Sequence, residues 1–158
     1  MEKLATDITY IRVKDDFVYM SAVIDLYNNE VVAWATSERN DMALVQATLN
    51  KLSKVQGIAG AILHSDQGFQ YTSKVYANQL AGLQLTGSHS RRGNCFDNAC
   101  IESFFSHMKT EEIYLNKPGT YDMIKRNIER YIRYYNSARF QTKLDERSPI
   151  EYRKALAA

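Results

Sequence analysis

Three acidic residues stand where a fold gains little from them. Asp7 lies between Thr6 and Ile8 in a stretch rich in β-branched and aromatic residues, and Asp is depleted in strands because it competes for backbone hydrogen bonds and resists burial. Asp66 follows directly on the short apolar run Ala61-Ile62-Leu63-His64, and the end of a buried strand is a common site position in α/β sheets. Glu102 sits in a helical pattern whose i−4, i+4 and i+7 neighbours are Asn98, Ser106 and Lys109, while Ile101, Phe104, Phe105 and Met108 supply the apolar side. Carboxylates from a strand, a strand end and a helix can converge. Together they could hold hard cations such as Mg²⁺, which take oxygen ligands. Two such ions roughly 3.5–4 Å apart can activate an attacking oxygen and stabilise a leaving one in phosphodiester chemistry. Each acid alone also has a plain structural reading: a strand-end residue, a turn residue in Asp66-Gln67-Gly68, a solvated helical acid. The set is more specific than its members.

The elements that must position these acids follow from period and punctuation. Ala5–Val13, Phe17–Asp25 and Val31–Thr36 read as three strands, and their short links imply an antiparallel meander. Asp41 caps a helix predicted to run through about Val55. Ala61–His64 is a strand of the buried type, and the preceding helix makes it a crossover partner of the first strand. Ser73–Leu83 reads as a helix and Leu85–Gly87 as a fifth strand, followed by the polar loop Ser88–Asn94. Asn94 with Asp97 resembles a helix cap, and the helix should run to about Glu111. Tyr121–Asn136 carries the stripe Tyr121, Ile124, Ile128, Tyr131, Ile132 and Tyr135, with Lys125, Arg126, Arg130 and Arg133 largely off it. Ser148-Pro149-Ile150-Glu151 has the signature of a last helix start. The pattern βββαβα(β)αα is a mixed α/β domain without internal repeat or linker, and the 158 residues are ordinary for one domain.

Composition removes several classes. With 45% hydrophobic residues and only 2 Pro and 7 Gly, the chain is neither disordered nor collagen-like. No apolar run approaches the about 18 residues of a membrane span, and the N-terminus lacks a secretory pattern. Two cysteines, Cys95 and Cys100, suit a reducing compartment. The net charge is +2, but residues 1–88 hold 7 Lys/Arg against 9 Asp/Glu and residues 89–158 hold 13 against 9. The second half is thus a candidate polyanion-facing surface.

Ordered motifs carry a resemblance. Thr6-Asp7-Ile8-Thr9-Tyr10-Ile11, Val23-Ile24-Asp25-Leu26, His64-Ser65-Asp66-Gln67-Gly68 with Gln70-Tyr71-Thr72-Ser73, residues 90–99 and Glu102-Ser103-Phe104-Phe105 resemble the catalytic core of bacterial insertion-sequence transposases, in the insertion-sequence-three branch of the retroviral integrase superfamily. That family carries an Asp, Asp, Glu triad with 35 residues between the last two acids, and 35 residues separate Asp66 from Glu102. Tyr135-Asn136, Arg139, Gln141, Leu144, Pro149 and Tyr152 resemble its C-terminal signature. Leu4 and Ala5 depart from the tryptophan often found before Thr-Asp, and Ser88-His89-Ser90 from a Ser-Met-Ser loop; neither touches the triad.

The resemblance implies a ribonuclease H-like α/β fold: a five-stranded mixed sheet flanked by helices, in one catalytic core domain over 1–158, with C-terminal helices over about 120–158. It implies Asp7, Asp66 and Glu102 as catalytic residues and as ligands of two divalent cations, Mg²⁺ or Mn²⁺. The implied reaction is cleavage and rejoining of DNA at element ends, as in transposition, integration and recombination, without a covalent enzyme intermediate. Expected partners are element-end and target DNA and further copies of the chain in the active complex, in the bacterial cytoplasm at the nucleoid and without a membrane. Upstream helix-turn-helix segments are expected to read element ends; the chain starts about where the core starts, so such a segment, or a separate DNA-binding subunit, is expected outside it. A metal-dependent nuclease of the same fold, or an inactive DNA-binding or assembly fragment, are the alternative readings.

Beside the triad, Arg91 and Arg92 are candidates for phosphate contact, as is Lys109, two turns beyond Glu102 on the same face. The basic residues of the Tyr121–Asn136 helix make a weaker case. Cys95, Cys100, His89 and His107 lack the spacing of a zinc module. Ser65 lacks partners for acyl chemistry, and His64 is either a buried hydrogen-bonded residue or a substrate contact.

Overall fold

The computed structural model describes residues 1–89 and 98–157. Three strands form first: β1 (Lys3–Val13), β2 (Asp16–Asp25) and β3 (Val31–Ser37). They pair antiparallel as the short links require, with Asp7 opposite Ala22. Helix α1 (Met42–Leu52) starts at Asp41, whose carboxylate accepts the Leu44 N–H at 3.2 Å. It carries the chain across to β4 (Ile62–Ser65), which lies parallel to β1 with Ala5 opposite His64. Helix α2 (Lys74–Gly82), capped by Ser73, leads to β5 (Thr86–His89), parallel to β4. The sheet order is β3-β2-β1-β4-β5, which contains the β1–β4 neighbourhood expected from the crossover.

Alternation along the strands divides the core in two. Ala5 and Ile11 of β1 and Met20, Ala22 and Ile24 of β2 face α3 (Ala99–Met108) and α5 (Tyr121–Ser137), meeting Ile101, Phe104, Met108, Ile124 and Ile128. Leu4, Val23, Ala33 and Leu63 face α1 and α2, meeting Val45, Leu49, Leu52, Tyr76 and Leu80. The α5 stripe is buried as its period requires, at Ile124, Ile128, Tyr131, Ile132 and Tyr135. After a short helix α4 (Tyr114–Asn116) and α5, the last helix α6 (Pro149–Ala157) begins at Ser148, whose N–H and hydroxyl both donate to Glu151 Oε2, at 2.9 and 2.7 Å.

Three boundaries differ from expectation. Ser88 and His89 belong to β5 rather than to a loop, because β4 offers them a parallel partner as far as Ser65. Helix α1 stops at Leu52 rather than near Val55. Helix α3 does not run unbroken to Glu111: it widens at Lys109–Ile113 into a π-type turn, where Glu111 and Glu112 turn toward α5. Asn94 and Asp97, read as a cap, lie outside the described residues.

Candidate functional site

Asp7 occupies the place in β1 between Ala5 and Ile11, on the face turned toward α3, where alternation would otherwise put an apolar side chain. It is partly buried. Its Oδ1 accepts the Ile8 N–H at 2.8 Å. Burial is the largest influence on its carboxyl and pushes it up to about 6; the Ile8 hydrogen bond opposes this, and the charges of Asp66 and Glu102 add to it.

Asp66 comes just past the end of β4. Because Ala5 pairs with His64, two further residues on each chain bring Asp7 and Asp66 level. The Asp66 carboxylate is exposed and held in a local turn, its Oδ1 accepting the Gly68 N–H at 2.8 Å. A β-carbon on Gly68 would stand 3.0 Å from that same oxygen. Gly68 is therefore a positioning residue of the site that reading the sequence as Asp-Gln-Gly did not single out; its signal is the glycine two residues after the acid. Glu102, in the first turn of α3, is exposed, and Ile101 and Phe105 beside it anchor the helix in the core.

Among the described residues, Glu102 has no hydrogen-bond or ion-pair partner. The carboxylates of Asp7 and Asp66 each accept one backbone N–H among the described residues. No cation of the described residues pairs with the three acids, and the charges of Asp66 and Glu102 both bear on Asp7. They are near enough for Asp7 to feel both others, yet among the described residues no three His, Cys, Asp or Glu side chains close into a ready metal cage. The donor set is oxygen only and anionic, which fits a hard divalent cation and not zinc with its N/S preference.

The histidines of the strand ends pair across the sheet. His64 Nδ1 and Ser88 Oγ are 3.1 Å apart, as are Ser65 Oγ and His89 Nδ1. These two contacts brace β4 against β5 directly before Asp66. Behind them Tyr71 stacks edge-on to Tyr76 at 5.3 Å, and burial holds its phenol neutral. Lys109 lies past the end of α3 with its ammonium 5.1 Å from the Tyr10 ring centre, and burial lowers its pKa. Arg91, Arg92 and Cys95 lie outside the described residues.

The C-terminal signature residues act as structural ties. Asn136 donates to the Val31 carbonyl at 2.9 Å and accepts the Val31 N–H at 3.0 Å. Arg139 grips both oxygens of Glu111, with contacts of 2.7 to 3.2 Å, and the Tyr131 hydroxyl donates to Glu111 at 2.7 Å. Asn29 Nδ2 donates to Gln141 Oε1 at 2.9 Å.

Comparison with known proteins agrees with this architecture. Residues 1–95 and 102–156 each match a family model described as an integrase core domain. The chain is 42% identical over 153 residues to the putative transposase InsK for insertion sequence element IS150 of Escherichia coli K12, covering 96% of this chain and 54% of that protein. It is 38% identical over 153 residues to a transposase-like protein of Haemophilus influenzae, covering 96% and 70%. It therefore spans little more than half of the first relative. The HTLV-2 integrase catalytic core domain, solved in complex with magnesium, superposes with a TM-score of 0.73 at 12% identity, over 96% of this chain and 95% of that one. No described helix is long and apolar enough to cross a membrane. The chain belongs to the integrase core domain family, with the bacterial insertion-sequence transposases of the insertion-sequence-three type in the retroviral integrase superfamily.

Proposed function

We propose that this core cuts and joins DNA strands at the ends of an insertion sequence, with Asp7, Asp66 and Glu102 as its catalytic carboxylates. The observation that carries the reading is the convergence of three acids from β1, the end of β4 and α3: Ala5 pairs with His64, and the charges of both Asp66 and Glu102 reach the partly buried Asp7. A fold that keeps three acids together gains from a bound cation. In this reading the three carboxylates hold two Mg²⁺ or Mn²⁺ ions. Divalent metal supplies charge that activates an attacking oxygen and stabilises a leaving one.

The protein's own part is placement. β1 and β4 fix Asp7 and Asp66 side by side, Gly68 orients Asp66, and α3 brings Glu102 over them. A scissile phosphate meets these carboxylates only with their charge neutralised. The attacking oxygen, from water in cleavage or from a DNA 3′-hydroxyl in joining, forms a bond to phosphorus as the bond to the leaving oxygen breaks. The leaving oxygen takes up a proton as the attacking one gives its own away. Recognition of element ends is assigned to sequence outside residues 1–158, and further copies of the chain to the active complex.

The test is strand joining by the core, extended by its upstream segments, on pre-cut element-end DNA with target DNA and Mg²⁺. Joined products are expected. Cleavage without joining supports the nuclease reading, and no processing at high DNA concentration supports the assembly-module reading. Mn²⁺-soaked crystals read by anomalous scattering test the ligands directly.

A further inference from the structure

Elsewhere in the second half of the chain, arginines find carboxylates: Arg130 with Glu112, Arg133 with Glu129, Arg139 with Glu111, Arg147 with Asp145 and Arg153 with Glu30. Among the described residues the lysines, Arg12 and Arg126 form no ion pair, and one groove gathers four such unpaired cations in one place. It lies between the end of the β1–β2 hairpin and the segment after α3, encloses about 660 Å³, and is lined by Arg12, Lys14, Lys109 and Lys117 with Tyr10 and Tyr114 among its walls. No carboxylate lines it. Among the described residues none of its four cations forms an ion pair; Asp15 stands in the adjacent turn and Asp16 at the start of β2, both outside the lining. Arg12 spends one N–H on the Lys14 carbonyl, 3.2 Å away, which holds the hairpin tip. Tyr10 and Tyr114 are each 60% exposed.

Two of the lysines occupy costly positions. Lys14 has φ 54 and Lys117 φ 45, both left-handed. Glycine or asparagine suits that conformation better than a lysine does. The chain nonetheless carries a cation on each lip of the groove.

The position of the groove is set by the elements that carry the acids. Tyr10 is three residues past Asp7 along β1, and Lys109 is seven past Glu102 along α3 and its wide turn. Both paths are about 10 Å long at strand and helix rise. They end together, with the Lys109 ammonium over the Tyr10 ring. The groove therefore starts about 10 Å from the acids and runs outward along the hairpin for about 10 Å more.

We infer that this groove seats the sugar–phosphate backbone of the DNA arm on one side of the cut, three to six nucleotides from the scissile phosphate. That span is the 10–20 Å offset, taken along the axis of a duplex arm lying parallel to the hairpin, divided by about 3.4 Å of axial rise per nucleotide. The inference rests on the proposed function for where the cut lies, and adds Arg12, Lys14 and Lys117 as contacts. Four cations and no acid suit phosphates, and exposed tyrosines suit the sugars between them. Such contacts grip without reading sequence.

The experiment uses the full chain and its Lys14→Asn/Lys117→Asn double variant, since asparagine tolerates the left-handed backbone. A Lys54→Asn/Lys74→Asn variant, at exposed lysines after α1 and at the start of α2, serves as control. Binding to duplex DNA is followed by fluorescence anisotropy over a range of salt, with one arm lengthened stepwise. The magnitude of the log–log salt slope should fall by about 0.9 for each phosphate no longer neutralised, up to about 2 for the pair. Affinity for long-arm DNA should drop about tenfold, affinity for DNA trimmed to two base pairs beyond the cut should barely change, and the control should behave as the unaltered chain. An unchanged slope, or equal weakening for long and short arms, overturns the inference. So does a poly-glutamate peptide that binds the groove more tightly than long-arm DNA and loses that binding in the double variant. A chain that shows this arm-length dependence but joins no strands refutes the proposed function and leaves the groove standing.

Discussion

Two acidic clusters lie on either side of α3, and they are built on opposite principles. At Glu111 every charge is answered: Arg139 bonds both carboxylate oxygens, Tyr131 donates a hydroxyl, and the Arg139 hydrogen bond foremost holds the carboxyl below its ordinary range. At Asp7 the neighbours are two more acids, and the carboxyl is pushed up to about 6, by burial first. The folded chain completes the first cluster by itself. The second finds no basic partner among the described residues. Residue type does not separate a structural acid from a candidate catalytic one here; the local charge balance does.

The contrast can be broken most sharply at Asp66. Asp66→Asn should abolish strand joining in Mg²⁺ while circular dichroism and melting temperature stay close to those of the unaltered chain, because an exposed carboxylate is replaced by an amide of similar size. Joining at an undiminished rate would remove Asp66 from the metal role. Glu111→Gln should do the reverse, costing about 2 kcal/mol in urea unfolding, the scale of hydrogen bonds to charged groups, with activity per folded molecule preserved. Its pH profile adds a second reading. A carboxyl depressed in the folded state contributes stability above its unfolded pKa, and that contribution is lost as pH falls through and below it. The glutamine variant should lose less stability than the unaltered chain on acidification below about pH 4.5.

Asp7→Asn should stabilise the metal-free fold by about 1–2 kcal/mol at pH 7.5, within the limit set by a carboxyl moved from 3.8 to about 6. The sign follows from linkage. The folded state holds this proton more tightly than the unfolded one, so the unaltered chain loses stability as pH rises from about 4 through 6, and the asparagine variant should lack that fall. Thermal melts in EDTA across pH decide it; a less stable variant at pH 7.5 would contradict the picture of an uncompensated acid. The smallest effect is expected at Gly68. Gly68→Ala puts a β-carbon 3.0 Å from Asp66 Oδ1 and should slow joining about fivefold, near 1 kcal/mol, with little change in melting temperature. A rate unchanged within twofold would show that the turn has room to give.

Much of this arrangement is legible in the residues. The β1–β4 crossover, the caps at Asp41 and Ser148 and the buried stripe of α5 are local patterns, and each appears where its period or cap residue points. Asp7 stood out because an acid interrupts an apolar alternation. What escaped depends on distant partners. Ser88 and His89 become strand only because Ser65 and His64 stand beside them, and no property of Thr86–His89 alone requires it. The wide turn at Lys109–Ile113 accompanies contacts of Glu111 and Glu112 with Arg139 and Arg130, which lie 28 and 18 residues away. The groove cations are scattered over positions 12, 14, 109 and 117, so no window along the chain reveals them as a cluster.

The pair of hydrogen bonds between the Asn136 side chain and the main chain of Val31 has a consequence for the order of assembly. β3 is an outer strand of the sheet, and an outer strand is where another polypeptide can add itself. The Asn136 amide occupies the first N–H and carbonyl of that rim. During synthesis the meander Lys3–Ser37 is finished about a hundred residues before Asn136 emerges, a lag of several seconds at about 5–20 residues per second. Its rim and its α5-facing side are bare throughout that interval. Nascent chains stalled between Ser37 and Tyr121 are therefore the ones expected to recruit chaperones or to associate with one another, and release past Ser137 closes the window.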